Sequence, residues 1–280
     1  MKKFWIFLAF CFGLSWLSAA LFYFLGGDYA SIGGSLFASG YMFMPLISVV
    51  LTQLVTGETP FNGCGISFKV NWWWLVAVLS MQVIVLLSLP ASALMPGVAI
   101  STDTPILTQS VEQMEAQGLP IGPWGLLIIT LFSGFVAACT INALFAFGEE
   151  VAWRGFLSRI LNDLGFWKKS LLVGAIWGLW HAPIILMGHN YPTHPVAGVF
   201  MMIAFCTLLA PLMQFVRDRA KSVIAAAMMH GSLNAVARLA IIYLSGYNEI
   251  LCGCTGIAGF AIFAILDIVI FLCTRKKQLG

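Results

Sequence analysis

The sequence predicts an all-α integral membrane protein, a bundle of about eight transmembrane helices, and three observations support this fold class. Of the 280 residues, 60% are hydrophobic and only 9% are charged, whereas a soluble domain has about a quarter of its residues charged. Eight apolar segments are long enough to cross a bilayer. Lys and Arg lie almost entirely on one side of these segments. Because lipid offers the backbone no hydrogen-bond partners, we expect the crossing segments to be helices.

The eight apolar segments follow one another with short loops, so residues 1–280 form a single membrane domain. They are Phe4–Leu25, Leu36–Val55, Trp72–Met95, Trp124–Leu157, Ser170–Met187, Val196–Val216, Ser222–Gly246 and Gly253–Cys273. The first begins like a signal peptide but stays apolar for about 20 residues, which predicts an uncleaved span. Between the third and fourth spans, Pro105–Gln117 has apolar residues at helical spacing, which indicates a short amphipathic helix on the outer surface.

The positions of Lys and Arg orient the chain. With the N-terminus inside, the inner segments hold 13 of the 14 basic residues, and the outer loops hold none. The inner residues are Lys2, Lys3, Lys69, Arg154, Arg159, Lys168, Lys169, Arg217, Arg219, Lys221, Arg275, Lys276 and Lys277. Cytoplasmic loops carry such an excess, so both termini are expected in the cytoplasm of a bacterial cell with the protein in its plasma membrane. The absence of a basic run argues against nucleic-acid binding.

Ionisable side chains inside the spans are costly and indicate function. They are Glu149, Glu150, Arg154, His181, His230, Arg238 and Asp267. Arg238 is expected to extend toward the outer surface, and Asp267 is a candidate supporting residue. His189 and His194 lie in the outer loop of residues 188–195 and are expected to be solvated.

The spacing of these residues predicts a site. Glu150 and Arg154 are four residues apart and share a helix face, whereas Glu149 is turned by about 100° from Glu150. At 1.5 Å per residue, Glu149, His181 and His230 lie about 12–16 Å from the inner surface.

Asn234 follows His230 by four residues and shares its face. A carboxylate, two imidazoles and a carboxamide at one depth suit amide hydrolysis. In such a site the carboxylate activates water, and polar N–H groups stabilise the oxyanion.

The motifs that carry these residues resemble the signature motifs of the CPBP family. That family comprises the CAAX-type intramembrane proteases and their bacterial relatives, which are linked to bacteriocin processing and immunity. The three motifs, all within residues 149–234, are Glu149-Glu150-x-x-x-Arg154, Trp177-x-x-x-His181 and His230-x-x-x-Asn234. The family usually has Phe where this chain has Trp177.

The resemblance implies a role for each residue. Glu149 would be the base that activates water, with His181 beside it, and His230 and Asn234 would form the oxyanion site. The partner would be a membrane-associated peptide or protein substrate, and no cofactor is expected.

Glu150 and Arg154 would be a structural or substrate-orienting pair. The alternative without a role in catalysis is an ion pair in which the two side chains neutralise each other inside the lipid bilayer.

Three alternatives remain open from the residues. The first is a zinc protease in which Glu149, His181 and His230 hold the metal with an open position, although the chain has no H-E-x-x-H motif. The second is a membrane protein that binds a peptide without cutting it, as an immunity protein would. The third is a proton-coupled carrier that uses the same buried groups.

Overall fold

A computed structural model describes residues 1–276, and almost all of its regular structure is helical. Lys277, assigned above to the inner side, lies outside the described residues. The helices are α1 (Lys2–Phe24), α2 (Ile32–Tyr41), α3 (Met44–Val55), α4 (Trp73–Ser92), α5 (Pro105–Ala116), α6 (Pro123–Cys139), α7 (Ile141–Glu150), α8 (Ser158–Ile160), α9 (Gly165–Trp180), α10 (Ala182–Leu186), α11 (Pro195–Ala220), α12 (Val223–Val236), α13 (Leu239–Tyr243) and α14 (Ile257–Lys276). A π-helix, Val151–Leu157, joins α7 to α8, and a 3₁₀ turn, Asn162–Leu164, precedes α9. Two-residue strands, β1 (Ala99–Ile100) and β2 (Leu244–Ser245), pair antiparallel.

The helices confirm the predicted class of an all-α membrane bundle. Six helical segments of the described chain are long and apolar enough to cross a membrane: Lys2–Phe24, Ile32–Val55, Trp73–Ser92, Pro195–Ala220, Val223–Tyr243 and Ile257–Thr274. A seventh crossing results if α6 and the helix Ile141–Ile160, which meet at a 53° bend, form one span. The predicted span Ser170–Met187 corresponds to α9 and α10, where α9 has only 16 residues.

Contacts between loops define one face of the bundle, here called the basic face. Glu58, in the loop after α3, accepts hydrogen bonds from Lys3 and from Arg159, the latter at 2.6 Å from Nη2. The same loop pairs with the turn between α11 and α12, because the Val223 N–H donates to the carbonyl of Gly65. The segments predicted to be cytoplasmic therefore lie together.

A second set of contacts defines the opposite face, here called the acidic face. The Tyr29 hydroxyl lies 2.9 Å from Nδ1 of His189, which joins the loop after α1 to the loop before α11. Glu249 accepts from the Thr193 N–H at 3.0 Å and lies 3.1 Å from Nδ1 of His194. Since Arg159 lies on the basic face and His189 on the acidic face, α9 and α10 connect the two faces. These two helices cover the predicted span Ser170–Met187, but they are not among the six or seven described segments that are long and apolar enough to cross a membrane.

The amphipathic helix was also predicted correctly. Thr104 caps α5 by accepting from the Leu107 N–H at 3.2 Å. Leu107 is buried, and Val111 and Met114 are half-buried along the same face. The Thr104 hydroxyl also bonds the carbonyl of Ile242, which attaches α5 to the end of α13.

Two close helix contacts position the polar residues. A Cβ on Gly231 would lie 2.9 Å from the backbone N of Ala143, so glycine beside His230 lets α12 pack directly on α7. A Cβ on Gly148 would lie 2.5 Å from the carbonyl O of Met42. Gly231 therefore allows α12 to pack closely on α7, and Gly148 allows the end of α7 to pack closely on the segment between α2 and α3.

Candidate active site

A cavity of about 550 Å³ is lined by residues of all three motifs. Glu149, His181, His230 and Asn234 contribute to its wall. They come from α7, the junction of α9 and α10, and α12, which are distant in sequence. The structure therefore brings together the four residues to which the sequence assigned the chemistry.

Two indole groups hold the Glu149 carboxylate. Its Oε2 accepts from Trp177 Nε1 at 2.6 Å and from Trp153 Nε1 at 3.3 Å, and its side chain is 1% exposed. No partner for Oε1 is found among the described residues. Since Glu149 lines the cavity, Oε1 is the oxygen available to a bound water or substrate.

A buried ion pair stands beside the cavity. Arg154 Nη1 donates to Glu150 Oε1 at 3.1 Å, and His230 Nδ1 lies 2.9 Å from the same oxygen. The Arg154 guanidinium lies 4.4 Å from the centre of the Trp177 ring, a cation–π contact. Glu150 and Arg154 are 0% and 1% exposed, so the ion pair is withdrawn from solvent, and Glu150 holds the His230 ring through Nδ1.

The π-helix follows directly after the two glutamates. Residues Val151–Leu157 adopt this wider turn, and all of them are buried. Such segments are rare and often occur at functional sites. The pair Glu150 and Arg154 stays in contact across this turn, as the spacing of four predicted.

The backbone fixes the tautomer of His181. Its Nδ1 lies 2.8 Å from the carbonyl O of Trp177, and because a carbonyl only accepts, Nδ1 carries the proton. In the neutral ring, Nε2 is then an acceptor. His181 can therefore accept a hydrogen bond from a water in the cavity.

Asn234 and Arg238 lie where the cavity opens. Both line it and both are exposed, unlike Glu149 and the histidines. Arg238 was expected to extend outward and lies at the break between α12 and α13. No ion pair between Arg238 and Asp267 is found among the described residues.

The expectation that His189 is solvated was wrong. Its ring is half-buried and stacks over His181, with ring centres 6.4 Å apart and planes inclined by 10°. Burial lowers the pKa of His189 to about 4. Its neighbour His194 is partly exposed but bonded to Glu249. Sequence spacing gave no signal for His189, because its contact depends on the fold of a loop.

The sequence did not predict the polar contacts of Trp177 in the site. Its indole donates to Glu149, its ring faces Arg154, and its carbonyl accepts from His181. Its position four residues before His181 is evident in the sequence, but a spacing does not reveal a hydrogen bond to another helix.

Glu149, His181 and His230 are the donors that the zinc alternative requires. Among residues 1–276, no three His, Cys, Asp or Glu side chains converge in a way that could hold a metal ion. Nδ1 of each histidine is engaged, in His181 by a carbonyl and in His230 by Glu150, which leaves only Nε2 of each ring open. Because the three donors do not converge on one point among the described residues, they do not fit the three-ligand zinc arrangement.

Comparison with known proteins identifies similar sequences. Residues 123–236, which contain all three motifs, match the family model described as Type II CAAX prenyl endopeptidase Rce1-like. A relative named CAAX prenyl protease 2, from Methanococcus maripaludis, is 34% identical over 58 residues. This alignment covers 20% of the present chain and 21% of the relative, so it spans about a fifth of the relative's length.

Proposed function

We propose that this chain, whose residues 123–236 match the CAAX-type protease family model, is an endopeptidase that hydrolyses a peptide bond of a membrane-associated substrate. The observation that carries the proposal is the carboxylate of Glu149, which lines a cavity together with His181, His230 and Asn234. A buried carboxylate in a cavity with two imidazoles is a costly arrangement for a purely structural role.

In the proposed reaction, Glu149 acts as the general base. Its Oε1 accepts a proton from a water that also donates a hydrogen bond to Nε2 of His181. The oxygen of this water attacks the peptide carbonyl and forms a tetrahedral intermediate. The protonated Glu149 then gives its proton to the leaving nitrogen as the C–N bond breaks, so the base is regenerated.

The oxyanion is stabilised on the other side of the cavity. The side-chain N–H₂ of Asn234 donates to it directly, since nothing else among the described residues bonds this amide. His230 donates a hydrogen bond from Nδ1–H to Glu150, so its Nε2 can donate as well only if the ring is an imidazolium. The adjacent Glu150 carboxylate supplies the negative charge that accompanies this cation.

The test compares membrane-derived peptides from cells that express the wild type or Glu149→Gln, by mass spectrometry. This change keeps the size of the side chain and removes the base, so specific cleavage products should disappear while the protein stays folded. The matched control is Glu112→Gln, at an exposed position of α5, which should leave the products unchanged.

Metal analysis of the purified protein separates the proposed mechanism from the zinc alternative. Stoichiometric zinc, lost with activity in His181→Ala or His230→Ala, would overturn the metal-free mechanism. Unchanged processing by Glu149→Gln would overturn both enzyme hypotheses and favour a protein that binds peptide without cutting it.

A further inference from the structure

The cavity connects to only one face of the bundle among the residues that the structure describes. Its outer wall includes Tyr29, His189, Asn190, Pro192 and Tyr247. All of these lie in the loops that form the acidic face. No residue of the described basic-face segments, at 56–72, 158–164 or 217–222, lines the cavity.

The exposure of the residues that line the cavity increases toward the acidic face. Glu149 is 1% exposed and His230 is 4% exposed at the inner end. Asn190 and Pro192, at the other end, are exposed. Asn234 and Arg238, on the helix between these ends, are exposed as well. The cavity is thus closed at the carboxylate and open toward the acidic face.

The basic face has independent contacts that keep it closed. Ser222 donates to the carbonyl of Ser67 at 2.6 Å, and Asn71 Nδ2 donates to the carbonyl of Ala220 at 3.2 Å. Glu58 bonds Lys3 and Arg159 on the same face. These interactions join the loops beneath the catalytic end of the cavity.

We infer that the active site receives its substrate from the acidic face, which the positive-inside rule places outside the cytoplasm. The substrate class is then a membrane-anchored polypeptide whose scissile segment lies at the outer leaflet. That the bound polypeptide is a substrate rests on the proposed function, but the route of access depends only on the cavity.

Thiol labelling in intact cells tests the route without any need for activity. The parent protein is the full chain with the two exposed cysteines replaced, Cys139→Ala and Cys273→Ala. Single cysteines are then introduced at Asn190 on the rim, at Asn234 inside the cavity and at Lys168 on the basic face. A membrane-impermeant sulfonated maleimide is added before or after permeabilisation, and the parent gives the background from the buried thiols.

The expected result is labelling of Asn190→Cys and Asn234→Cys in intact cells, and labelling of Lys168→Cys only after permeabilisation. Labelling of Asn190→Cys only after permeabilisation would show the opposite orientation and overturn the inference. Labelling of Asn190→Cys from outside, with no outside labelling of Asn234→Cys or of a second cavity variant, Arg238→Cys, would overturn it too.

The labelling experiment and the test of the proposed function can fail independently of each other. If Glu149→Gln changes no peptide but the labelling pattern holds, the cavity still opens outward and the protein binds rather than cuts. If peptides disappear but Asn234→Cys reacts only from inside, the protease activity stands and the outer route fails.

Discussion

At the scale of single residues, Trp177 makes polar contacts that its apolar character does not suggest. Its Nε1 lies 2.6 Å from the Glu149 carboxylate, and a charge-assisted hydrogen bond of this kind is short and strong. The phenylalanine that is usual at this position in the CPBP family, whose motifs this chain resembles, cannot donate. The tryptophan therefore adds an N–H donor to the proposed base while it keeps an aromatic face for Arg154.

We predict that Trp177→Phe lowers kcat with little change in KM. A hydrogen bond to a charged group contributes about 1.5–3 kcal/mol. Each 1.4 kcal/mol is about tenfold in rate, so the expected loss is roughly 10- to 100-fold. The measurement is the steady-state rate of substrate cleavage.

The matched control for this change is Trp180→Phe. Trp180 also lines the cavity, but its indole donates to Ser15 at 2.7 Å rather than to Glu149. Equal loss of kcat in both variants would contradict a specific role for Trp177.

Asn234 offers a second residue-scale prediction. If its amide is one oxyanion donor, Asn234→Ala should reduce kcat by about 10²–10³-fold and leave a measurable residual rate. Asn190→Ala, on the rim, should keep the wild-type rate. Complete loss of activity in Asn234→Ala with normal folding would point to a role beyond one donor.

At the scale of elements, the π-helix and α7 form a unit that is held by a buried ion pair. Glu150 and Arg154 are four residues apart, and both are withdrawn from water. Glu150 also contacts His230 of α12, so the pair joins two helices as well as two turns. One atom of each partner, Glu150 Oε2 and Arg154 Nη2, is buried without a partner among the described residues.

Removal of one member of this pair should destabilise the fold. Arg154→Ala leaves an uncompensated buried carboxylate, at a cost of about 3–5 kcal/mol, so less folded protein should be recovered from membranes. The double variant Glu150→Gln with Arg154→Met should partly restore the yield. The yield is measured by size-exclusion chromatography in detergent, and full yield of inactive Arg154→Ala would instead favour a role in binding substrate.

At the scale of the whole molecule, Glu58 connects three segments that are far apart in sequence. It bonds Lys3 near the N-terminus and Arg159 after the π-helix from a loop between α3 and α4. Hydrogen bonds from Arg159 and Lys3 lower the pKa of Glu58 from its ordinary 4.5 to about 2. This carboxylate therefore stays ionised in the folded protein at pH values where it would be protonated in the unfolded chain.

The sign of the resulting pH dependence follows from the lowered pKa. A group with a depressed folded-state pKa contributes stability that is fully present above 4.5 and is lost as the pH falls toward 2. We predict that the melting temperature in detergent falls more between pH 5 and pH 3 for the wild type than for Glu58→Gln. Glu115→Gln, an exposed site on α5, should retain the wild-type slope, and an unchanged slope in Glu58→Gln would contradict the prediction.

Much of the fold could be predicted because its signals are local or compositional. Apolar segments of crossing length follow from the exclusion of charge from lipid, and pairs four residues apart share a face through the helical repeat. The contact of Glu150 with Arg154 and the helix Pro105–Ala116 are of this kind.

The sequence by itself determined the membrane class, the order of the helices, the asymmetry of basic charge and the local pairs. Only the tertiary structure decided that Trp177 reaches Glu149 across 28 residues, that His230 reaches Glu150 across 80, and that His189 stacks on His181. It also decided which face the cavity opens to. Periodicity fixes which side chains share a helix face, but the rotation and approach of one helix against another are set by packing between residues distant in sequence. Contacts such as Gly231 on α7 therefore become visible only when the helices are assembled.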